Sequence, residues 1–98
     1  MQSALFLVVA ISIAGQTLAA PHLATRDEVL VHAKRDSSDF CARPVHCKYS
    51  ISGVEEGWSV LAVQVSVGSD GKESFPVGGH RAYIYSAEGK LLREVPGL

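Results

Sequence analysis

At 98 residues the chain holds one small domain at most. A formal net charge of −1 leaves no basic excess of the kind nucleic-acid binding rests on, so no nucleic-acid partner is expected. The 47% apolar content is inflated by the N-terminus, and the two cysteines, Cys41 and Cys47, fall beyond it.

Met1–Ala20 reads as a secretory signal peptide. Residues 4–14 are nearly all apolar, a length that suits a signal-peptide core rather than a membrane span. Gly15 and Gln16 break the run. Thr17-Leu18-Ala19 puts small residues three and one before the cut, so cleavage is expected after Ala19. Met1-Gln2-Ser3 carries no Lys or Arg, which departs from the usual leader. No other stretch is long enough to span a bilayer. The expected product is secreted and extracellular, with no stable membrane association.

Residues 20–35 follow, with mixed charge and few aromatics. They end in Lys34-Arg35, a dibasic pair that resembles the cutting site of kexin-type processing proteases. Asp27–Ala33 suits a short helix with Val29, Leu30 and Ala33 on one side. The segment is expected to be a pro-segment outside the fold. That leaves 36–98 as the β domain, whose eight acidic and six basic residues give a charge of −2. A domain of this size is marginal on core burial alone and wants a staple or a partner.

Asp36-Ser37-Ser38-Asp39 favours an unstructured start, and Phe40 is the first apolar anchor. Val45–Ser52 alternates Val45, Cys47, Tyr49 and Ile51 against His46, Lys48, Ser50 and Ser52, a strand with one wet face. Trp58–Val67 is the central strand. Leu61, Val63, Val65 and Val67 lie on one face, and Trp58, Val60 and Ala62 on the other. Asp70-Gly71 marks a hairpin. Glu73–Val77 returns with Phe75 and Val77 inward, and Pro76 makes it a poor ladder partner. His80–Ser86 sets Ala82 and Ile84 against Arg81, Tyr83 and Tyr85. Leu91–Val95 completes the set. The pattern predicts an all-β fold: a small antiparallel meander of five to six strands. Curling into a β-sandwich or small barrel would keep both faces from standing bare.

An even cysteine count in an exported chain predicts the Cys41–Cys47 disulfide. Six steps along a straight strand span about 20 Å, so the chain must fold back near Arg43-Pro44 to bond them. A zinc role with His46 lacks a recognised spacing, and no metal or cofactor is expected. Glu55 or Glu56 with His80 and Arg81 offers a ribonuclease-like set, but nothing in their spacing favours it. No catalytic residue is assigned, and the chain is not expected to be an enzyme.

Two partner surfaces remain. One is the edge of the first strand, with His46, Lys48 and Ser50 beside it. The other is Arg81, Tyr83 and Tyr85, where aromatics and an arginine share a strand face. The heavier reading of that face is that it covers the second side of the domain. The leader ending Leu18-Ala19-Ala20-Pro21, the segment to Lys34-Arg35 and the small cysteine-containing β domain resemble small secreted effectors of plant-associated fungi. Among these the layout is most similar to the MAX, or ToxB-like, effector family. The usual disulfide of that family joins cysteines far apart in sequence, whereas here they are Cys41 and Cys47. The resemblance implies a secreted virulence protein that binds a host protein, often after entry into host cells, to modulate defence; the chain is expected to be a monomer. A carbohydrate-binding module using Tyr83, Tyr85 and Trp58 is the alternative.

Overall fold

The computed structural model describes residues 22–97. The leader reading, Ala19 included, lies outside them. Helix α1 (Arg26–Asp36) precedes strands β1 (His46–Val54), β2 (Gly57–Val67), β3 (Glu73–Ser74), β4 (His80–Ser86) and β5 (Leu91–Pro96). The sheet is antiparallel and open, in the order β1-β2-β4-β5, with β3 pairing to the end of β2. The predicted antiparallel meander is therefore present. It does not close on itself; a helix supplies the second layer.

The registers explain the two faces. Opposed residues point the same way in an antiparallel pair. Tyr49↔Ala62 and Ile51↔Val60 on one side of β2, with Val60↔Tyr83 and Trp58↔Tyr85 on the other, build one face. Ser50↔Leu61, Lys48↔Val63 and Leu61↔Ala82 build the opposite face. Val60, Ala62, Tyr83 and Tyr85 are fully buried beneath Val29 and Ala33 of α1.

This corrects the expectation that the helix stands outside the fold. Its physical reason is that a single sheet cannot bury an apolar face without a second layer. The local chemistry of α1 is also complete. Glu28 N–H donates to Thr25 Oγ1 at 3.1 Å, and Thr25 N–H donates to Glu28 Oε1 at 2.8 Å, a closed capping box. Ala24 and Val29 meet in the same core cluster and fix the entry of the chain. Asp27 and Glu28 open the helix, and Lys34 and Arg35 close it, as the macrodipole favours. Val29, Ala33 and Ser37, four residues apart, form the buried stripe.

The Asp70-Gly71 hairpin forms as predicted, with Lys72 N–H donating to Asp70 Oδ1 at 3.0 Å. The strand after it is shorter than Glu73–Val77. Gly79 N–H donates to the Pro76 carbonyl at 3.0 Å, so residues 76–79 turn rather than extend. Phe75 and Val77, expected inward, are 60% and 100% exposed. Gly57 has a φ of +145°, and a Cβ there would strike the Ser86 backbone, so only glycine lets β4 approach.

Candidate functional site

The disulfide joins Cys41 and Cys47, with Cα atoms 5.5 Å apart. The chain reverses between them, where Val45 N–H donates to the Ala42 carbonyl and the Arg43–Pro44 peptide is cis. The staple holds the segment before β1 against the sheet. Gln64 Nε2 donates to the Phe40 carbonyl at 2.6 Å, and the Arg81 guanidinium stacks over the Phe40 ring at 4.8 Å.

β1 is an edge strand. His46, Lys48 and Ser50 are exposed on the face away from α1. Lys48 Nζ pairs with Glu73 Oε1 at 2.9 Å, which holds the Glu73 carboxyl below its usual value, chiefly through that hydrogen bond. Val54 and Gly57 close a two-residue hairpin loop, so even-numbered residues of β1 direct their backbone groups to β2. Cys47, Tyr49 and Ile51 direct theirs outward. One of these outward groups is already engaged: Arg26 Nη1 of α1 donates to the Ile51 carbonyl at 3.3 Å.

The second surface has a different fate. Tyr83 and Tyr85 are fully buried, so they offer no exposed contact area while α1 is in place. Strict alternation in β4 gave two candidate faces and did not say which one a helix would cover. Tyr85 donates its hydroxyl to Asp36 Oδ2 at 2.8 Å. Burial, helped by the Asp36 carboxylate, raises the Tyr85 hydroxyl far above its ordinary range. Burial by itself would raise the Asp36 carboxyl. Hydrogen bonds from Arg35 and Tyr85 and the Arg35 charge outweigh it and leave the carboxyl lowered. Tyr83 Oη and Arg81 Nε are both buried without a hydrogen-bond partner. Burial, then the Glu94 carboxylate, raises the Tyr83 hydroxyl.

Lys34 and Arg35 lie in the exposed last turn of α1. Lys34 Nζ sits 5.9 Å from the centre of the Tyr49 ring, and Arg35 Nε donates to Asp36 Oδ1 at 3.0 Å. The buried Ser37 Oγ meets Tyr49 Oη at 2.7 Å. Sequence reasoning missed Ser37 and the core role of α1. The Thr25-x-x-Glu28 box and the Val29–Ala33–Ser37 spacing were the available signals.

The ribonuclease-like set is not brought together. Gly57, next to Glu55-Glu56, pairs with Ser86, while His80 pairs with Val63 at the other end of the same ladder. Six strand steps, about 20 Å, separate them. Glu56 instead holds Arg93 in a two-pronged ion pair at 2.6 and 3.1 Å, which lowers the Glu56 carboxyl. Among the described residues no group of three or more His, Cys, Asp or Glu could hold a metal ion, and no helix is long and apolar enough to cross a membrane. No protein-family model, curated protein or solved structure matches the chain.

Proposed function

We propose that the chain is a secreted, non-enzymatic binding protein of the effector type. It takes an extended segment of a host protein onto the outer edge of β1 and so modulates host defence. The observation that carries this is the open sheet: among the described residues β1 has a neighbour on one side only. Its outward amides and carbonyls at Cys47 and Tyr49 suit strand addition, in which backbone hydrogen bonds supply affinity. His46, Lys48 and Ser50 then read the partner's side chains at the rim. The Cys41–Cys47 disulfide supports an oxidising, extracellular setting, before any entry into host cells.

While α1 is docked, protein binding is favoured over sugar stacking, because Tyr83 and Tyr85 are buried. A stacking platform needs exposed ring faces. The test is capture from host extract, followed by amide exchange on the complex. Slowed exchange at Cys47, Tyr49 and Ile51 is the expected result. Binding that leaves those three amides unchanged, or RNA hydrolysis by the purified chain, would overturn the reading.

A further inference from the structure

We infer that α1 is a removable cover, and that cutting after Arg35 exposes a surface continuous with the β1 edge. The inference rests on the edge-binding reading above and adds its regulation.

The ties to the sheet divide at the Arg35–Asp36 bond, which is crossed by the Arg35–Asp36 ion pair and by capping bonds from Ser37 and Ser38 to the last helical turn. On the N-terminal side lie the side-chain ties of α1 to the sheet. They are Val29 and Ala33 in the core, Arg26 on the Ile51 carbonyl, Lys34 against the Tyr49 ring, and His32 Nδ1 donating to the Gly89 carbonyl at 3.0 Å. On the C-terminal side lie Asp36 with Tyr85, Ser37 with Tyr49, the Phe40 carbonyl with Gln64, and the disulfide. A cut there frees the helix and leaves the stapled segment fastened to the sheet.

The bond is reachable. Arg35 is 65% exposed at its side chain and lies in the last helical turn, where fraying is normal. Hydrolysis by a dibasic-specific serine protease adds one water across the bond. It leaves a carboxylate on Arg35 and an amino group on Asp36.

The cover also fits its face imperfectly. α1 contributes only Val29 and Ala33 as fully buried apolar side chains. Once α1 leaves, Tyr49, Val60, Tyr83 and Tyr85 become an aromatic floor next to the free Ile51 carbonyl. A protein partner adding a strand to β1 then gains a face to pack on.

The experiment treats the folded exported chain with a dibasic-specific protease, beside the uncuttable Lys34→Gln/Arg35→Gln variant. Size-exclusion chromatography with mass detection, an apolar-surface dye and far-UV circular dichroism are read on both. The expected result is one cut after Arg35, separate elution of the helical piece, a severalfold rise in dye fluorescence and a retained strand signal. Three results overturn the inference. The helical piece co-elutes with the sheet; the strand signal collapses on cutting; or the folded chain resists a protease that cuts a denatured control. Host-extract capture separates this inference from the reading beneath it. Equal capture by the cut and uncuttable forms removes the cover and leaves edge binding intact. Capture by neither removes edge binding, while the release data judge the cover.

Discussion

The Tyr85 hydroxyl donates to the Asp36 carboxylate across 49 residues of chain, at 2.8 Å. It ties a fully buried position of β4 to the last residue of α1. Tyr85→Phe keeps the ring and removes this bond. A hydrogen bond to a charged group is worth about 1.5–3 kcal/mol, so a loss at the lower end is expected. Urea unfolding with an unchanged m-value checks it. Tyr85→Ala also leaves a cavity and should cost about 3–5 kcal/mol.

The same pair predicts two limbs of a pH profile. The Asp36 carboxyl is lowered in the fold from an ordinary 3.8. Its contribution is present above that value and is lost as pH falls through the lower folded value. Tyr85 is raised from an ordinary 10.0, so its contribution is present below that value and declines as pH rises past it. Asp36→Asn should flatten the acid limb and Tyr85→Phe the alkaline limb, read from unfolding midpoints across pH.

Reducing the disulfide removes a loop closed over a sequence separation of 6. The chain-entropy model gives about 2 kcal/mol for so short a loop. A Cys41→Ser/Cys47→Ser chain should therefore stay folded but unfold at lower urea. An unchanged midpoint would show that the Phe40–Gln64 and Ser37–Tyr49 bonds hold the segment without help.

Thr25→Ala opens the capping box at the start of α1. Loss of an N-cap side chain costs about 1 kcal/mol. The intact chain should lose about that much global stability, because α1 is a layer of its core. The chain cut after Arg35 should lose none. Equal losses in both forms would mean the helix stays docked after cutting.

Amide exchange in the free protein tests the edge geometry. Lys48, Ser50 and Ser52 should exchange slowly, because their amides face β2. Cys47, Tyr49 and Ile51 should exchange fast. A reversed pattern would turn the proposed binding edge around by one residue.

Much of the sheet was legible from the sequence. The period of two in residues 58–67 separated the faces correctly, since Val60 and Ala62 oppose Tyr83 and Arg81 in register. Asp70-Gly71 placed its hairpin, and the short reach between Cys41 and Cys47 demanded the reversal that is seen. The role of α1 was not legible. Its apolar residues, Val29, Leu30 and Ala33, are too few to distinguish a docked helix from a solvated one. The deciding information lay in the sheet, which had an apolar face with nothing assigned to cover it. Phe75 and Val77 went astray because alternation was extended through Pro76, where a turn wins. The β1 edge was readable from strand order; the burial of Tyr83 and Tyr85 depended on which face the helix took.

Strand pairing in this sheet stays local: β1 pairs with β2, β2 with β3 and, past β3, with β4, and β4 with β5. Such hairpins close short loops and form early. α1 is the exception, since its bond from His32 reaches Gly89, 57 residues on. Its docking closes the longest loop in the fold, so it is expected after the hairpins. In refolding, the sheet is then expected to assemble while Lys34-Arg35 is still undocked. A dibasic-specific protease added during refolding would then compete with the docking of α1. That race would set the ratio of covered to uncovered molecules.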